Sequence, residues 1–303
     1  MDIRHMQYVV EVARFGSFTK AAEALHITQP TISKMVKNLE DELGVEVFIR
    51  HGKKVELTDA GHVIMQHAQH ISNSFENLTS ELNDLTHFRK GRIRIGLPPM
   101  AGANFFPGVM SRFREQYPGL IIQLVEDGSK KIEAQVASGA LDMGVVLLPA
   151  NAQVFESFPF VYESLQLLVH PSHPLAGRKE AALSELSEDA FILFREDFAL
   201  HDRIIAECIR AGFKPRVLYE SSQWDFISEM VAANLGVAML PETICATLDP
   251  ERVCVLSLVD PIIPWQLAMI WRKDGYLSFA AREWIRFTKG MLADRHNAAV
   301  DTR

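Results

Sequence analysis

The sequence predicts an α/β chain of at least two domains: an α-rich N-terminal segment closed by a small hairpin, one long helix, and a larger portion of alternating strands and helices. Three observations predict it. Apolar residues recur at helical spacing three times before Gly44, and an apolar heptad runs from Ile64 to Leu85. From Arg92 onward, apolar strands and helical periods alternate in βαβαβ order, the pattern of a parallel sheet with helices on both faces. A length of 303 residues agrees with two or more domains, at roughly 150 residues for each.

The first helix carries Met6, Val9, Val10 and Ala13, the second Phe18, Ala21, Ala22 and Leu25, and the third Ile32, Met35, Val36, Leu39 and Leu43. Gly16-Ser17 supplies a break and an N-cap for the second helix. Thr28 is expected to cap the third, with Pro30 tolerated in its first turn and Gly44 ending it. Beyond it, Val45 to Ile49 and Val55 to Leu57 flank His51-Gly52-Lys53-Lys54, a hairpin with a basic tip.

This layout is that of a winged helix-turn-helix, whose third helix enters the major groove. Gln29, Thr31, Ser33, Lys34 and Lys37 form the polar side of that helix. Gln reads adenine bidentately, Ser and Thr bond bases or phosphates, and Lys neutralises phosphate. Arg50, Lys53 and Lys54 on the wing are placed to grip the flanking backbone. Taken alone, the same helix reads equally well as an ordinary solvated face.

From Thr58 to Phe88 the apolar residues Ile64, Ala68, Ile71, Phe75, Leu78, Leu82 and Leu85 step alternately by four and three. That is one side of a coiled coil, so residues 59–88 are expected to form a linker and dimerisation helix. A helix lying on its own domain would want a broader stripe. Arg89-Lys90-Gly91 reads as a hinge.

The α/β portion begins with a strand from Arg92 to Gly96 and a helix through Phe105, Phe106, Val109, Met110 and Phe113. A strand at Leu120 to Val125, a helix around Ile132 and Val136, and the run Met143 to Leu148 follow. A second such unit takes Phe191 to Phe194, a helix from about His201, Arg216 to Tyr219, a helix from about Trp224, and Val237 to Leu240. Gln266 to Trp271 and a helix near Phe279 to Met291 remain to be accommodated.

With 48% hydrophobic and 23% charged residues the chain is globular, and neither disordered nor collagen-like. A charge of −7 argues against coating nucleic acid by bulk electrostatics. Residues 1–58, however, hold eight basic and eight acidic side chains, so the surplus acid lies elsewhere. Cys208, Cys245 and Cys254 are widely spaced with no CxxC pair, which suggests neither a disulfide framework nor zinc, and fits a reducing cytoplasm. No signal-peptide pattern and no stretch of 18 apolar residues is present, so no membrane role is expected. His67 and His70, an i, i+3 pair on the linker helix with His62 and His87, could hold a metal. No carboxylate or cysteine joins them at ligand spacing, so no metal and no cofactor is expected.

An enzyme is the competing class. No GxSxG, HExxH, GxxxxGK[ST] or GxGxxG occurs, and Glu126 and Asp127, adjacent on a strand, point to opposite faces. No catalytic residue is assigned.

The run from Gly16-Ser17-Phe18-Thr19-Lys20-Ala21-Ala22 through Leu25, Thr28-Gln29-Pro30-Thr31-Ile32-Ser33, Leu39-Glu40, Leu43-Gly44, Phe48, Arg50 and Leu57-Thr58-Asp59-Ala60-Gly61 resembles the N-terminal signature of LysR-type transcriptional regulators. Looser pieces continue the resemblance: Gly139 to Gly144, His173-Pro174-Leu175-Ala176, and Gly236 to Pro241. It implies DNA binding, with Ser17, Thr28, Gln29, Pro30, Thr31, Ser33, Lys34, Lys37, Arg50, Lys53 and Lys54 as the contacting set.

The resemblance also implies a two-lobed effector domain like a type 2 periplasmic binding protein, with residues 92–162 plus 267–303 in one lobe and 163–266 in the other. Ligands of such folds sit in the cleft between lobes. Pro99, Met100, Ala101, Gly102 and Ser129 are the candidates from the first lobe, and Phe198, His201, Gln223 and Trp224 from the second. Many family members place Ser or Thr in the turn after the first strand, where this chain has Pro98, Pro99, Met100 and Ala101. A ligand there must rely on backbone and apolar contacts. Each candidate also reads as a plain helix cap or packing aromatic.

The implied function is a ligand-responsive regulator, not an enzyme, that binds a dyad-symmetric promoter in double-stranded DNA. It would form a homodimer through the linker helix, and a homotetramer beyond that. A small-molecule effector, expected to be a small carboxylate, would alter dimer spacing, DNA bending and RNA polymerase contact; activation and repression both fit. A Cys208–Cys254 redox pair, as in peroxide-sensing members, is an alternative to plain buried thiols.

Overall fold

The computed structural model describes residues 2–51, 54–86 and 91–300. The sequence positions Lys53, His87, Arg89 and Lys90 lie outside the described residues, as do the side chains of Arg50, His70, Leu82 and Leu85. The chain divides into two compact units, residues 1–88 with 138–140 and residues 89–137 with 141–303.

In the first unit, α1 (Ile3–Phe15) begins where the Asp2 carboxylate accepts the Arg4 and His5 N–H groups, and it ends at Gly16 in the left-handed region. Helix α2 (Phe18–Ala24) starts at Ser17, whose Oγ accepts the Lys20 N–H at 3.4 Å. Helix α3 (Gln29–Leu43) ends at left-handed Gly44. Thr28 occupies the N-cap position of α3 but does not cap it, contrary to expectation. Pro30 removes one amide a cap would satisfy, the Thr31 amide already bonds the Thr28 carbonyl at 3.0 Å, and the Thr28 hydroxyl lies 2.8 Å from that of Thr31.

The wing is β1 (Phe48–His51) paired antiparallel with β2 (Lys54–Leu57), Phe48 opposite Leu57 and His51 opposite Lys54. Two expectations are corrected here. Val45 to Val47 are not in the strand, because the Glu40 carboxylate on α3 takes the Val47 and Phe48 amides at 2.9 and 3.3 Å. Lys54 belongs to β2 and not to the turn. The core joins all three helices to the wing through Val9, Ala21, Ile32, Leu39 and the edge-on Phe18–Phe48 ring pair. Val12 and Val47, which the helical reading omitted, are fully buried, while Leu43 is exposed.

Helix α4 (Asp59–Thr86) is continuous. The Thr58 hydroxyl accepts the Gly61 N–H at 2.8 Å and donates to the Glu46 carbonyl at 2.6 Å. At Gly61 a Cβ would stand 2.1 Å from the Val47 carbonyl oxygen, so the close approach of α4 to the wing requires glycine there.

In the second unit the elements run β3 (Gly91–Leu97), α5 (Pro99–Phe105), α6 (Pro107–Gln116), β4 (Leu120–Glu126), α7 (Ser129–Ala137), β5 (Met143–Leu147) and β6 (Phe155–Val169). They continue with β7 (Glu180–Ala182), a 3₁₀ turn, β8 (Ala190–Phe194), α8 (Ala199–Arg210), β9 (Arg216–Ser221), α9 (Trp224–Ala232), β10 (Ala238–Pro241), α10 (Glu242–Cys245), β11 (Cys254–Asp260), β12 (Pro264–Arg272) and α11 (Phe279–Val300). The single helix expected through Phe105 and Phe113 is two, because Pro107 has no N–H to continue α5 and instead opens α6.

Among the described residues, one sheet has the order β4-β3-β5-β12-β6-β11-β7, with β10 also on β6; β8 and β9 form a separate parallel pair. Strand β6, which the sequence reading left out, joins the two halves of the unit. Up to Ser164 it pairs with β12, and from Leu165 with β10 and β11. Its Pro159 sits at a register shift opposite Ala268, where a missing amide costs no ladder bond. Strand β12 completes the first half against β5, which gives the stray C-terminal strand its place.

Candidate functional site

Two surfaces carry the candidate residues. On the first unit, α3 buries Ile32, Val36 and Leu39 and leaves Pro30, Thr31, Lys34 and Lys37 exposed on its opposite side, with Gln29 and Ser33 half-buried. The Gln29 amide donates to the Ser33 hydroxyl at 2.8 Å, one turn on, which holds the amide along the helix surface. Ser17 is engaged as the α2 cap and Thr28 with Thr31, so their hydroxyls are oriented by local bonds. Lys37 forms an i, i+4 pair with Asp41 at 3.0 Å, and the carboxylate bonded to it raises the ammonium above its usual value. Lys54 is exposed on β2.

On α4, the heptad positions separate into two groups. Ala68 is fully buried and Ile64 packs beside it, both against the first unit's own core. Ile71, Phe75 and Leu78 are 42%, 47% and 50% exposed. Ile64 and Ala68 thus belong to intradomain packing, because α1 packs against α4 and both residues join the first unit's core cluster. The exposed part of the apolar stripe begins at Ile71.

In the second unit a cavity lies where α5, α7 and the ends of β5 and β12 face β8 and α8. Met100, Ala101, Ser129 and Phe198 from the sequence-predicted set line it together. Pro98, Leu147, Phe194, Ala199, Leu200, Ser222, Trp265 and Leu267 complete the walls. The cavity encloses about 20 Å³, room for roughly one water. The walls are apolar except for the Ser129 and Ser222 hydroxyls.

Five candidates do not line this cavity. Pro98 stands there in place of Pro99, and Gly102 lies against Leu97 further along α5. His201 is spent on carboxylates, with Nδ1 3.0 Å from Asp202 and Nε2 3.5 Å from Glu220. Gln223 is exposed at the α9 N-cap, where its backbone N–H donates to the Ser221 hydroxyl at 3.0 Å, and Trp224 packs on the core, leaving Ser222 to face the cavity. The residues from β5 and β12 had no sequence signal beyond apolar runs.

Polar contacts join the elements that line the cavity. Lys130 on α7 donates to the Glu196 carbonyl at 2.6 Å and pairs with Asp202 at 2.6 Å, holding that carboxyl below its usual value. Beside it, a Cβ at Gly128 would meet the Asp197 carbonyl oxygen at 2.4 Å. Arg203 on α8 donates to the Pro264 carbonyl at 2.8 Å and to the Leu148 carbonyl, and burial lowers its pKa. Cys208 and Cys245 are buried and their thiols are pushed up to about 12, opposite to what a reactive thiolate needs. Cys254 is half-buried and none of the three is in a disulfide. Among the described residues no group of three His, Cys, Asp or Glu is placed to hold a metal, and no helix is long and apolar enough to cross a membrane.

Two family models match the chain. Residues 3–62 match the bacterial regulatory helix-turn-helix protein, lysR family, and residues 87–293 match the LysR substrate binding domain. YwbI of Bacillus subtilis, described as an HTH-type transcriptional regulator, is 62% identical over 97% of this chain and 98% of its own length. The transcriptional dual regulator GltC of the same organism is 30% identical, covering 95% of this chain and 96% of its own. Among solved structures, a full-length OxyR from Pseudomonas aeruginosa superposes with a TM-score of 0.69 at 25% identity, over 96% of this chain and 94% of that one. Full-length CbnR, solved in complex with its target DNA, has the same fold: TM-score 0.66, 21% identity, 95% and 99% coverage.

Proposed function

The chain belongs to the LysR family of bacterial DNA-binding transcriptional regulators with an effector-binding domain, and from that premise we propose how its two surfaces divide the work. The face of α3 carrying Gln29, Pro30, Thr31, Ser33, Lys34 and Lys37 reads bases in the major groove. Ser17, Thr28 and the wing residues Arg50, Lys53 and Lys54 hold the phosphate backbone. The stripe on α4 from Ile71 through Phe75 and Leu78 pairs two chains, so that the dimer meets a dyad-symmetric site in double-stranded DNA. A homotetramer bends the promoter and meets RNA polymerase.

The effector is a small carboxylate bound in the cavity between α5, α7 and α8, which must widen beyond its one-water space to admit it. One observation carries this reading: Met100, Ala101, Ser129 and Phe198, distant in sequence, converge on a single apolar cavity between the two halves joined by β6. The Met100 and Ala101 amides, in the first turn of α5, are donors for an acid group. Binding changes how the halves sit and thereby the spacing of DNA-bound dimers.

The test is a thermal-shift panel on the full chain using carboxylate metabolites and their neutral amides. A binding carboxylate raises the melting temperature at concentrations well above its dissociation constant, and Ser129→Ala weakens the shift. Stabilisation by neutral or cationic compounds alone would contradict the carboxylate reading.

A further inference from the structure

Arg203 is a cation held by neutral oxygens. Its two Nη groups donate to the carbonyls of Pro264 and Leu148, and among the described residues no carboxylate stands within ion-pair distance of it. Glu207, one turn further along α8, is itself bonded to Arg210 at 2.7 Å. The bonds to the two carbonyls satisfy its donors but bring no counter-charge into contact, and Glu207 acts on it only through space, so this half-buried guanidinium retains affinity for an anion.

Its position gives that affinity a direction. Ala199 and Leu200, one turn before it on α8, line the cavity, and so do Leu147 and Trp265, the chain neighbours of the two carbonyls it holds. Arg203 is not itself a lining residue, but through these neighbours it ties the same two walls together. Lys130 differs, since Asp202 neutralises it at 2.6 Å.

We propose that Arg203 is the anion anchor of this cavity and, while the cavity is empty, the clamp that holds α8 against the ends of β5 and β12. The proposal rests on reading the cavity as the effector site. An entering carboxylate takes both Nη donors side by side, the pairing to which guanidinium geometry is suited. It draws Arg203 off the Leu148 and Pro264 carbonyls, so one event binds the ligand and unfastens the walls. The ligand class is an acid with a single anionic group and a compact apolar body, because the side chains lining the cavity offer two hydroxyls and are otherwise aliphatic or aromatic.

The test needs no knowledge of the natural ligand. In the full chain carrying Cys254→Ala, Ser129→Cys places a thiol on the cavity wall, and its modification rates by anionic ethylsulfonate and cationic trimethylammonium-ethyl methanethiosulfonates are compared. Arg203→Gln is expected to lower the anion-to-cation rate ratio by roughly fivefold, as loss of a nearby charge in a poorly hydrated site should. Arg203→Lys keeps most of the ratio and serves as the folding control, and Lys130→Gln changes it by less than about twofold because that charge is already paired. An unchanged ratio in Arg203→Gln, including equal acceleration of both reagents, overturns the anchor and leaves a clamp. If a metabolite that stabilises the protein fails to protect the Ser129→Cys thiol, the cavity is not the effector site, and the wider reading falls with the proposal.

Discussion

The Glu40 carboxylate on α3 accepts the backbone N–H of Val47 at 2.9 Å, and that of Phe48 beside it, fastening the helix proposed to face DNA to the first strand of the wing. Two parts of the expected DNA surface are thereby held in one geometry by a residue outside the proposed contacting set. Glu40→Ala leaves two amides without this acceptor and is expected to destabilise the first unit by about 2 kcal/mol. Denaturant melts measure the loss, and specific DNA affinity at matched salt should fall with it. Unchanged stability would show that water replaces the carboxylate at no cost.

Lys34 and Lys37 differ in what already holds them. Lys37 shares its charge with Asp41, so Asp41→Asn is expected to raise non-specific DNA affinity and steepen its salt dependence. Lys34→Ala is expected to reduce the log–log salt slope by about one. Titrations of a random duplex at several salt concentrations read both effects.

Phe75 lies mid-stripe on α4 and is nearly half exposed. Phe75→Glu places a charge in the expected two-chain seam and should shift the sedimenting species from dimer to monomer. The helix-turn-helix core should stay folded, because Ala68 and Ile64 pack within the chain. A variant that remains dimeric would place the interface elsewhere.

Asp202 carries a pH signature. Lys130 holds its carboxyl below the ordinary value of 3.8, so the pair contributes stability above the unfolded-state pKa and loses it as pH falls through the folded one. With the Asp202 side chain 60% exposed, the contribution is at most about 1 kcal/mol. Asp202→Asn should therefore melt slightly below the parent at pH 7, and the gap should close as pH is lowered from 5 toward 3.

Legibility in the sequence followed the range of the forces involved. The three short helices and α4 were readable because helical and heptad periods are local, as were the glycine stops at Gly16 and Gly44. Thr28 misled because its capping depends on which amides Pro30 and Thr31 leave free. The heptad gave no sign that Ala68 and Ile64 face their own domain, since that depends on where α1 lies. In the cavity, Met100, Ala101, Ser129 and Phe198 stand at helix starts and could be reached from βα order, whereas Leu147, Trp265 and Leu267 arrive through β5 and β12, whose adjacency is set by sheet topology. Arg203 was missed because its significance lies in two backbone carbonyls that no side-chain pattern records.

The central claim, that α3 reads DNA sequence for a LysR-family regulator, is tested most directly by DNase footprinting of the promoter region of the protein's own gene with the full chain and with Gln29→Ala. The account predicts a protected dyad at low protein concentration for the parent. For Gln29→Ala it predicts protection weakened by about 1–3 kcal/mol, with salt-sensitive non-specific binding retained. Equal protection of the same bases at equal concentrations by both proteins would contradict it.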